Sequence, residues 1–212
     1  MGIQREQVVR AALELLDEGG MEGVTMRKLA QRLNIQAPSL YWHFANKQAL
    51  LDGMADALVE PVAREVDASA PWDEVLRSVA LELRRALLSR RDGARVFAGT
   101  YVVTENVLRV SEALIGALRT AGASSRVAAW GSFSLLHYVL GFTTEEQPFD
   151  PRFKPGPLDD PQLLARFQAF PRERFPHVLS SLADLLDPDF DTRFLFGLER
   201  FITGLRADLP SP

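Results

Sequence analysis

The segment from residue 25 to residue 51 gathers cationic and polar aromatic side chains that suit contact with a polyanion. Its sequence, TMRKLAQRLNIQAPSLYWHFANKQALL, contains no Asp and no Glu. It holds four cations and one imidazole, namely Arg27, Lys28, Arg32, Lys47 and His43. Cations neutralise phosphates, whereas hydroxyl, phenol and imidazole groups reach phosphate oxygens or base edges. Because the whole chain is acidic, with a formal net charge of -4, this local composition indicates a nucleic-acid-binding surface.

Two short helices joined by a tight turn are expected to position these side chains. Thr25 suits the position before the first helix, where its hydroxyl can accept a first-turn N–H. Asn34 suits the end of that helix, because Asn tolerates the left-handed conformation. Pro38 suits the start of the second helix, where its missing N–H costs nothing. The first helix has one apolar stripe at helical spacing, formed by Leu29, Ala30, Leu33 and Ile35. Together the two elements predict a helix-turn-helix.

The second helix is too polar and too aromatic to lie wholly in a core. Leu40 and Phe44 are four residues apart and can both face inward. That leaves four side chains displayed on the other faces, with Lys47 at the rim: Ser39, Tyr41, Trp42 and His43. The pattern is typical of a helix that enters the major groove. The alternative is a small helical core whose polar face is only solvated.

The longer stretch GGMEGVTMRKLAQRLNIQAPSLYWHFANKQALLD resembles the DNA-binding domain of TetR-type transcriptional repressors. The resemblance rests on G-x-x-x-x-T-x-R-x-L-A-x-x-L, then S-L-Y-W-H-F, then N-K-x-x-L-L, all in order. It implies that operator DNA is contacted by Arg27, Pro38, Ser39, Tyr41, Trp42, His43 and Lys47. Met26 and Ala37 stand where tetracycline repressors have a Thr and a Gln that read bases, so the operator sequence stays open.

Composition limits the class of protein. The chain has 212 residues, 47% of them hydrophobic, which predicts a folded globule with a sizeable core. It has no Cys, which excludes disulfides and fits a reducing cytoplasm. No apolar run reaches the length of a membrane span and the amino terminus lacks a secretory pattern, so we expect a cytoplasmic protein without membrane association. Three His residues without a paired acid, and no Gly-rich phosphate loop, argue against an enzyme and against a bound cofactor.

The rest of the chain reads as helices, so the predicted fold class is all-α. We expect a helix-turn-helix domain at 1–46 and a helical bundle for effector binding and dimerisation at 47–212. The amphipathic and capping patterns predict helices at 4–18, 47–60, 72–91, 104–121, from 124 or 125 onward, 161–170, 175–186 and 192–205. The Pro-rich stretch 148–161 reads as a loop.

The resemblance continues into this second part through ALLSRRDGARV and FLFGLE, which are close to segments of tetracycline-repressor core domains. It implies that the bundle carries a dimer interface. On the last helix, four residues spaced 3, 4 and 3 share a face and include two glycines that permit close helix approach: Phe194, Gly197, Phe201 and Gly204. We expect this face to meet a second copy, with the helix around 133–140 as its partner. The alternative is that the face packs inside its own chain.

A sensor core needs a cavity lined mostly by apolar groups. Family matching and helical facing together select Leu83, Phe97, Thr100, Ala113, Trp130, Ser134, His137 and Glu145. Tetracycline repressors have a metal-binding His three residues before a Thr in the segment matching VFAGT, and here that position is Phe97. A benzyl group cannot coordinate magnesium, which prefers oxygen ligands. We therefore expect an apolar effector bound without metal.

The combined expectation is a homodimeric regulator, most simply a repressor, that binds double-stranded operator DNA and is released by a small-molecule effector. The alternative is a constitutive DNA-binding regulator with a filled core and no effector.

Overall fold

The computed structural model describes residues 3–67, 69–153, 160 and 162–210, and within these ranges every regular element is helical. The α-helices are α1 Arg5–Gly23, α2 Met26–Arg32, α3 Ala37–Tyr41, α4 Lys47–Leu58, α5 Trp72–Leu88, α6 Gly93–Ala98, α7 Glu105–Thr120, α8 Ser125–Glu146, α9 Leu163–Gln168, α10 Pro176–Ser180, α11 Leu182–Leu185 and α12 Phe190–Arg206. Short 3-10 turns cover Gln147–Phe149 and Pro151–Phe153. The predicted all-α fold is confirmed.

The amino-terminal head is built from α1, α2 and α3, and α4 completes it. Leu16, Leu29, Leu40 and Phe44 are almost completely buried in one apolar cluster. The buried face of α4 belongs to the same cluster, whereas the residue just after α4, Val59, belongs to the second cluster. By packing, α4 therefore sits with the head, and the division at 46/47 stays a prediction about domain organisation.

Local signals act in the head as the sequence indicates. The Thr25 hydroxyl accepts the Lys28 N–H at 3.2 Å, and the Asn46 side chain accepts the Ala49 N–H at 2.8 Å. Asn34 adopts the left-handed conformation with φ of 52°. The turn between α2 and α3 closes when the Ile35 N–H donates to the Ala30 carbonyl at 3.0 Å, which is the six-to-one bond of a helix stop.

The first helix breaks at Gly20, close to the predicted end of the helix at residue 18. Helical bonding resumes beyond this kink, so that α1 as a whole reaches Gly23. Gly20 has a φ of 62°, which an L side chain rarely adopts. A Cβ on Gly20 would lie only 2.7 Å from the Asp92 carboxylate, which accepts the Met21 N–H at 2.9 Å. The kink therefore docks the head onto the α5–α6 turn.

Four long helices, α5, α7, α8 and α12, surround the second apolar cluster. Its most buried large side chains are Leu76, Leu83, Leu87, Leu118, Leu135 and Phe194. Thr104 and Ser124 begin α7 and α8 as expected, because their side chains accept the Val107 and Val127 N–H groups. In contrast, α9, α10 and α11 contain no buried residue.

Element boundaries differ from the expectation in three other places. The segment after Asp92 forms the helix α6, which is not among the predicted helices. The stretch expected as a loop begins with two 3-10 turns, and its later part, at 154–159 and 161, lies outside the described residues. The region 175–186 is two short helices, α10 and α11, because the chain leaves helical geometry at Ser181.

The face of α12 expected to meet a second copy packs largely inside its own chain. Phe194 is fully buried, and Gly197 lies against the ring of Tyr138 on α8. The Tyr138 hydroxyl donates to the Phe194 carbonyl at 2.6 Å, and burial raises the pKa of Tyr138. Gly204 has open space beside it. The prediction was wrong for Phe194 because the 3.6-residue period defines a face but does not say which neighbour covers it.

Replacing Gly197 with alanine should destabilise the fold. The new Cβ would meet two Tyr138 ring atoms at 2.8 Å, which real carbon contacts do not tolerate. We expect a loss of about 1–3 kcal/mol in the free energy of unfolding, as for other overpacked sites. Gly116→Ala is the matched control, because a Cβ there meets nothing within 4 Å. It should stabilise α7 by up to about 1 kcal/mol. Equal urea midpoints for the two variants would contradict the close crossing of α8 and α12.

No helix within the described ranges is long and apolar enough to cross a bilayer.

Candidate nucleic-acid interface and ligand cavity

The side chains predicted to contact DNA lie at the surface of the head. Trp42 is 90% exposed and Tyr41 is 52% exposed, which is unusual for rings of this size. Arg27, Pro38 and Lys47 are exposed as well, and Ser39 and His43 are half-buried. The tight turn and the inward Leu40 and Phe44 hold α3 so that its polar and aromatic faces stay uncovered.

Arg5, the first residue of α1, packs against the segment that follows α3. The Arg5 guanidinium lies 4.4 Å from the centroid of the Phe44 ring and donates weakly to the His43 carbonyl at 3.5 Å. This contact fixes the backbone that follows α3. The loop from 42 to 46 therefore has a defined path into α4, whose first residue is Lys47.

Charge on the head is divided between two faces. Arg32 turns toward α1, where it pairs with Glu18 at 2.5 Å and with Glu14 at 3.4 Å. The hydrogen bond to Glu18 raises the pKa of Arg32 above its ordinary value. Arg27, Lys28 and Lys47 form no ion pair with any residue in the described part of the chain. We call the surface formed by the seven predicted DNA contacts the reading face. Glu14 and Glu18 pair with Arg32, and the cations Arg27 and Lys47 of the reading face stay free of acidic partners among the described residues.

Lys28 and Gln36 are also exposed on the helix-turn-helix, and neither is among the predicted DNA contacts. Both are exposed, Lys28 in the first turn of α2 and Gln36 directly before α3. The signal for Lys28 was present in the acid-free window, whereas Gln36 carries no charge to draw attention to it.

A small cavity lies between α5, α6, α7 and α8 and touches the residue after α4. Its volume is about 60 Å³. Twelve residues line it, and none is charged: Val59, Leu83, Phe97, Val107, Val110, Ser111, Leu114, Ile115, Ala129, Ser132, Phe133 and Leu136. The polar side chains among them, Ser111 and Ser132, donate to carbonyls of their own helices at 3.0 and 2.8 Å. Their lone pairs stay available to a hydrogen-bond donor.

The predicted effector contacts separate into three groups. Leu83 and Phe97 line the cavity, whereas Thr100 does not, and its hydroxyl donates to the Phe97 carbonyl at 2.8 Å. Ala113 faces a different groove, which it shares with Trp72. The remaining four are exposed on the outer face of α8 and do not line the cavity of their own chain: Trp130, Ser134, His137 and Glu145.

Most residues that line the cavity are not among the predicted effector contacts. Five of the twelve residues come from α7 and four from α8, and Val59 follows α4. The helical period marked them as core positions, but it does not show where four helices leave a gap.

A buried arginine ties three helices together beside the cavity helices. Arg84 of α5 donates to Glu146 of α8 at 2.8 and 2.6 Å and to Asp191 of α12 at 2.7 Å. Burial alone would lower the pKa of Arg84, but the hydrogen bonds to Glu146 and Asp191 outweigh it and raise the pKa. The guanidinium also lies 4.8 Å from the centroid of the Phe194 ring.

Across the described ranges, no three His, Asp or Glu side chains converge in a way that would hold a metal ion. The cavity itself is lined by carbon and by two hydroxyls, a set that does not resemble the oxygen-rich sites that magnesium prefers.

Comparison with known families agrees with both parts of the molecule. The family described as "Bacterial regulatory proteins, tetR family" matches residues 8–54. The family described as "Tetracyclin repressor-like, C-terminal domain" matches residues 67–209. The first match covers the reading surface, and the second covers the helices that form the cavity.

Individual proteins align over nearly the whole chain. The class D tetracycline repressor protein of Escherichia coli is 38% identical, covering 98% of this chain and 91% of its own length. A possible TetR family transcriptional regulator from Streptomyces coelicolor A3(2) has a crystal structure that superposes with a TM-score of 0.85 at 40% identity, covering 96% of this chain and 99% of that one. The structure of the Streptomyces coelicolor TetR family protein ActR in complex with actinorhodin superposes with a TM-score of 0.86 at 29% identity, covering 98% of both chains. The chain belongs to the TetR family of helix-turn-helix, DNA-binding transcriptional regulators.

Proposed function

We propose that this protein is a homodimeric repressor that binds operator DNA through α2 and α3 and releases it when an apolar small molecule occupies the cavity of its core. The observation that carries the proposal is the combination of an acid-free, exposed reading face with an uncharged cavity that touches the end of α4. Contacts to DNA are assigned to Arg27, Pro38, Ser39, Tyr41, Trp42, His43 and Lys47.

The lining of the cavity defines the class of effector. A binding site without charged groups disfavours charged ligands, because they lose hydration without gaining a partner. Phe97 presents a hydrocarbon ring to the cavity at the position where the resemblance placed a metal-binding His. The effector is therefore uncharged and largely apolar, and magnesium takes no part in binding it.

The helices α8 and α12 pack on each other, and both expose apolar side chains. We assign the exposed apolar faces of these two helices to the dimer contact. Trp130 and Phe133 of α8 are about as exposed as Phe196 of α12. Exposed rings in such number usually mark an interface. Trp130, Ser134, His137 and Glu145 lie on this α8 face, so they reach an effector only across a contact with a second copy.

A charge on the exposed apolar side of α12 should separate the two copies. Phe196→Glu places a carboxylate where an apolar contact is expected, and we expect the dissociation constant of the pair to rise at least about 30-fold, as at interface hot spots of 2 kcal/mol or more. Light scattering should show the mass shifting toward that of one chain, 23.6 kDa. Val103→Glu, at an exposed loop position outside α8 and α12, should leave the mass unchanged. A Phe196→Glu protein that keeps its full mass at low concentration would rule out this interface.

Repression needs two reading heads at a fixed separation. A two-fold pair can place its heads on successive major-groove turns, about 34 Å apart. An effector that favours a different arrangement of α4 changes this spacing and releases the operator. A coupling of about 1–3 kcal/mol between the two sites is typical of such switches.

A mobility-shift experiment tests the function directly. The protein is mixed with the DNA upstream of its own gene, with and without a library of uncharged apolar metabolites. We expect a retarded protein–DNA complex that one class of compound dissociates. Magnesium–tetracycline should leave the amount of this complex unchanged. A complex that forms but resists every compound would favour the alternative, a constitutive DNA-binding regulator. The small volume of the cavity supports this alternative, because about 60 Å³ is below the roughly 300 Å³ of ordinary ligand pockets.

A further inference from the structure

The carbonyl end of α4 has no capping residue of its own. The helix ends at Leu58, and its last turn contains no basic side chain. Val59, Glu60 and Pro61 follow without a glycine, and the first two carbonyls each accept one local bond, from the Val62 N–H at 3.0 Å and from Arg64 Nε at 2.9 Å. The last carbonyls of a helix need partners from outside the helix, from water or from another element.

Arg109 of α7 adds bonds from a distant helix to the carbonyls of the segment directly after α4. Its Nη2 donates to the Glu60 carbonyl at 2.6 Å and to the Val59 carbonyl at 3.3 Å, and its Nε donates to the Val62 carbonyl at 3.1 Å. Its Nη1 donates to the Asn106 side chain at 2.8 Å, which holds the guanidinium in orientation. A cation at the carbonyl end of a helix is also favoured by the helix dipole.

Two further contacts tie α4 to the same neighbours. The Ala63 N–H, in a residue with a φ of 53°, donates to the Glu82 carboxylate of α5 at 2.8 Å. The Thr104 hydroxyl at the start of α7 donates to Asp56 of α4 at 2.6 Å. Residues 59–63 are thus held between α5 and α7 and do not form a free linker.

The helices that hold the end of α4 also line the cavity. Arg109 lies between Val107 and Val110, both of which line it, and Glu82 precedes Leu83, which lines it as well. A molecule larger than the present volume displaces the helices that line the cavity, and an outward movement of α7 carries Arg109 with it. The three carbonyls that Arg109 binds then either follow α7 or lose their bond to this helix.

We propose that Arg109 is the positioning residue that couples occupation of the cavity to the placement of α4, and through α4 to the reading head. The proposal rests on the proposed function, in which a filled cavity weakens operator binding. Arg109 contacts neither DNA nor the cavity interior. Its role is to transmit a displacement of α7 to a helix whose buried side chains belong to the head.

In the test, a larger side chain introduced into the cavity takes the place of the unidentified effector. Ala129 lines the cavity from α8, and Ala129→Phe overfills it in the way a bound molecule would. The operator is a duplex selected from random DNA by repeated binding to the wild-type protein. We expect Ala129→Phe to lower affinity for this duplex by about 5- to 150-fold relative to the wild type, which is the usual span of allosteric coupling. In the Arg109→Met background, the same substitution should lower affinity by less than about threefold relative to Arg109→Met alone.

Three companion variants separate transmission from ordinary stabilisation. Arg109→Lys should restore part of the response, because an ammonium group can still bind one or two of the carbonyls. Arg119→Met removes another arginine of α7, one that binds the Ala123 carbonyl at the far end of the same helix, and should keep the full response. If Ala129→Phe does not fold, Ala129→Met is used in both backgrounds. Circular dichroism and mass in solution establish folding and pairing for each protein.

The possible results are distinct. If Ala129→Phe lowers operator affinity equally in the wild-type and Arg109→Met backgrounds, the role of Arg109 is overturned, whereas control by the cavity stays intact. Folded Ala129 variants that bind the duplex like the wild type overturn control by the cavity, and the coupling role of Arg109 with it. A loss that depends on Arg109 and survives Arg119→Met supports the proposal.

Discussion

Tyr41→Ala should weaken operator binding by a factor of about 30 to 20,000 while leaving the protein folded. A good side-chain contact to a base edge contributes about 1–3 kcal/mol, and the paired molecule loses it at both half-sites. Tyr41 is half exposed in the free chain, so its removal leaves little cavity, and the free energy of unfolding should change by less than about 0.5 kcal/mol. Fluorescence anisotropy with a labelled operator duplex measures the affinity. Because a phenol carries no charge, the slope of affinity against salt should stay the same.

Tyr101→Ala is the matched control for this substitution. Tyr101 is the same residue type and is fully exposed, but it lies in the loop between α6 and α7, outside the head. Its replacement should change operator affinity less than about twofold, within the range of ordinary surface substitutions. If both tyrosine variants bind DNA like the parent, the reading surface has been assigned to the wrong part of the head.

Arg84→Met should cause the largest loss of stability among single substitutions of polar residues. It leaves Glu146, whose side chain is only 13% exposed, without its bidentate partner. Breaking one side of a buried ion pair costs about 3–5 kcal/mol, because the remaining charge stays away from water. For a chain of this length the melting temperature should fall by about 2–4 °C for each kcal/mol. Thermal melts at fixed protein concentration measure the change, since pairing makes the midpoint depend on concentration.

Two further variants show whether the unpaired carboxylate is the cause. Arg84→Met combined with Glu146→Leu removes both charges, and most of the lost stability should return, as happens when apolar residues replace a whole buried pair. Asp191→Asn changes the exposed partner of Arg84, whose side chain is 84% exposed, and should cost less than about 1 kcal/mol. A double variant as unstable as Arg84→Met alone would point to lost packing against Phe194 and not to an unpaired charge.

The sequence by itself determined the fold class, most of the long helices and the caps of the head. Thr25, Asn34 and Asn46 act as their types predict, because a cap and a turn depend on bonds between residues three to five positions apart. The same locality placed Leu40 and Phe44 inside and Tyr41 and Trp42 outside. Family membership followed from the same residues, since the motif that binds DNA is continuous in the chain.

Only the tertiary structure decided which surfaces meet. The helical period showed that Phe194 and Gly197 share a face, but whether Tyr138 or a second copy covers that face depends on how α8 crosses α12. The cavity is a gap between four helices and therefore has no local signature. Arg109 and the carbonyl of Glu60 are 49 positions apart, and their 2.6 Å contact exists because the bundle brings α7 to the end of α4. Local hydrogen bonds can be read from spacing along the chain, whereas contacts between distant segments depend on how whole helices pack.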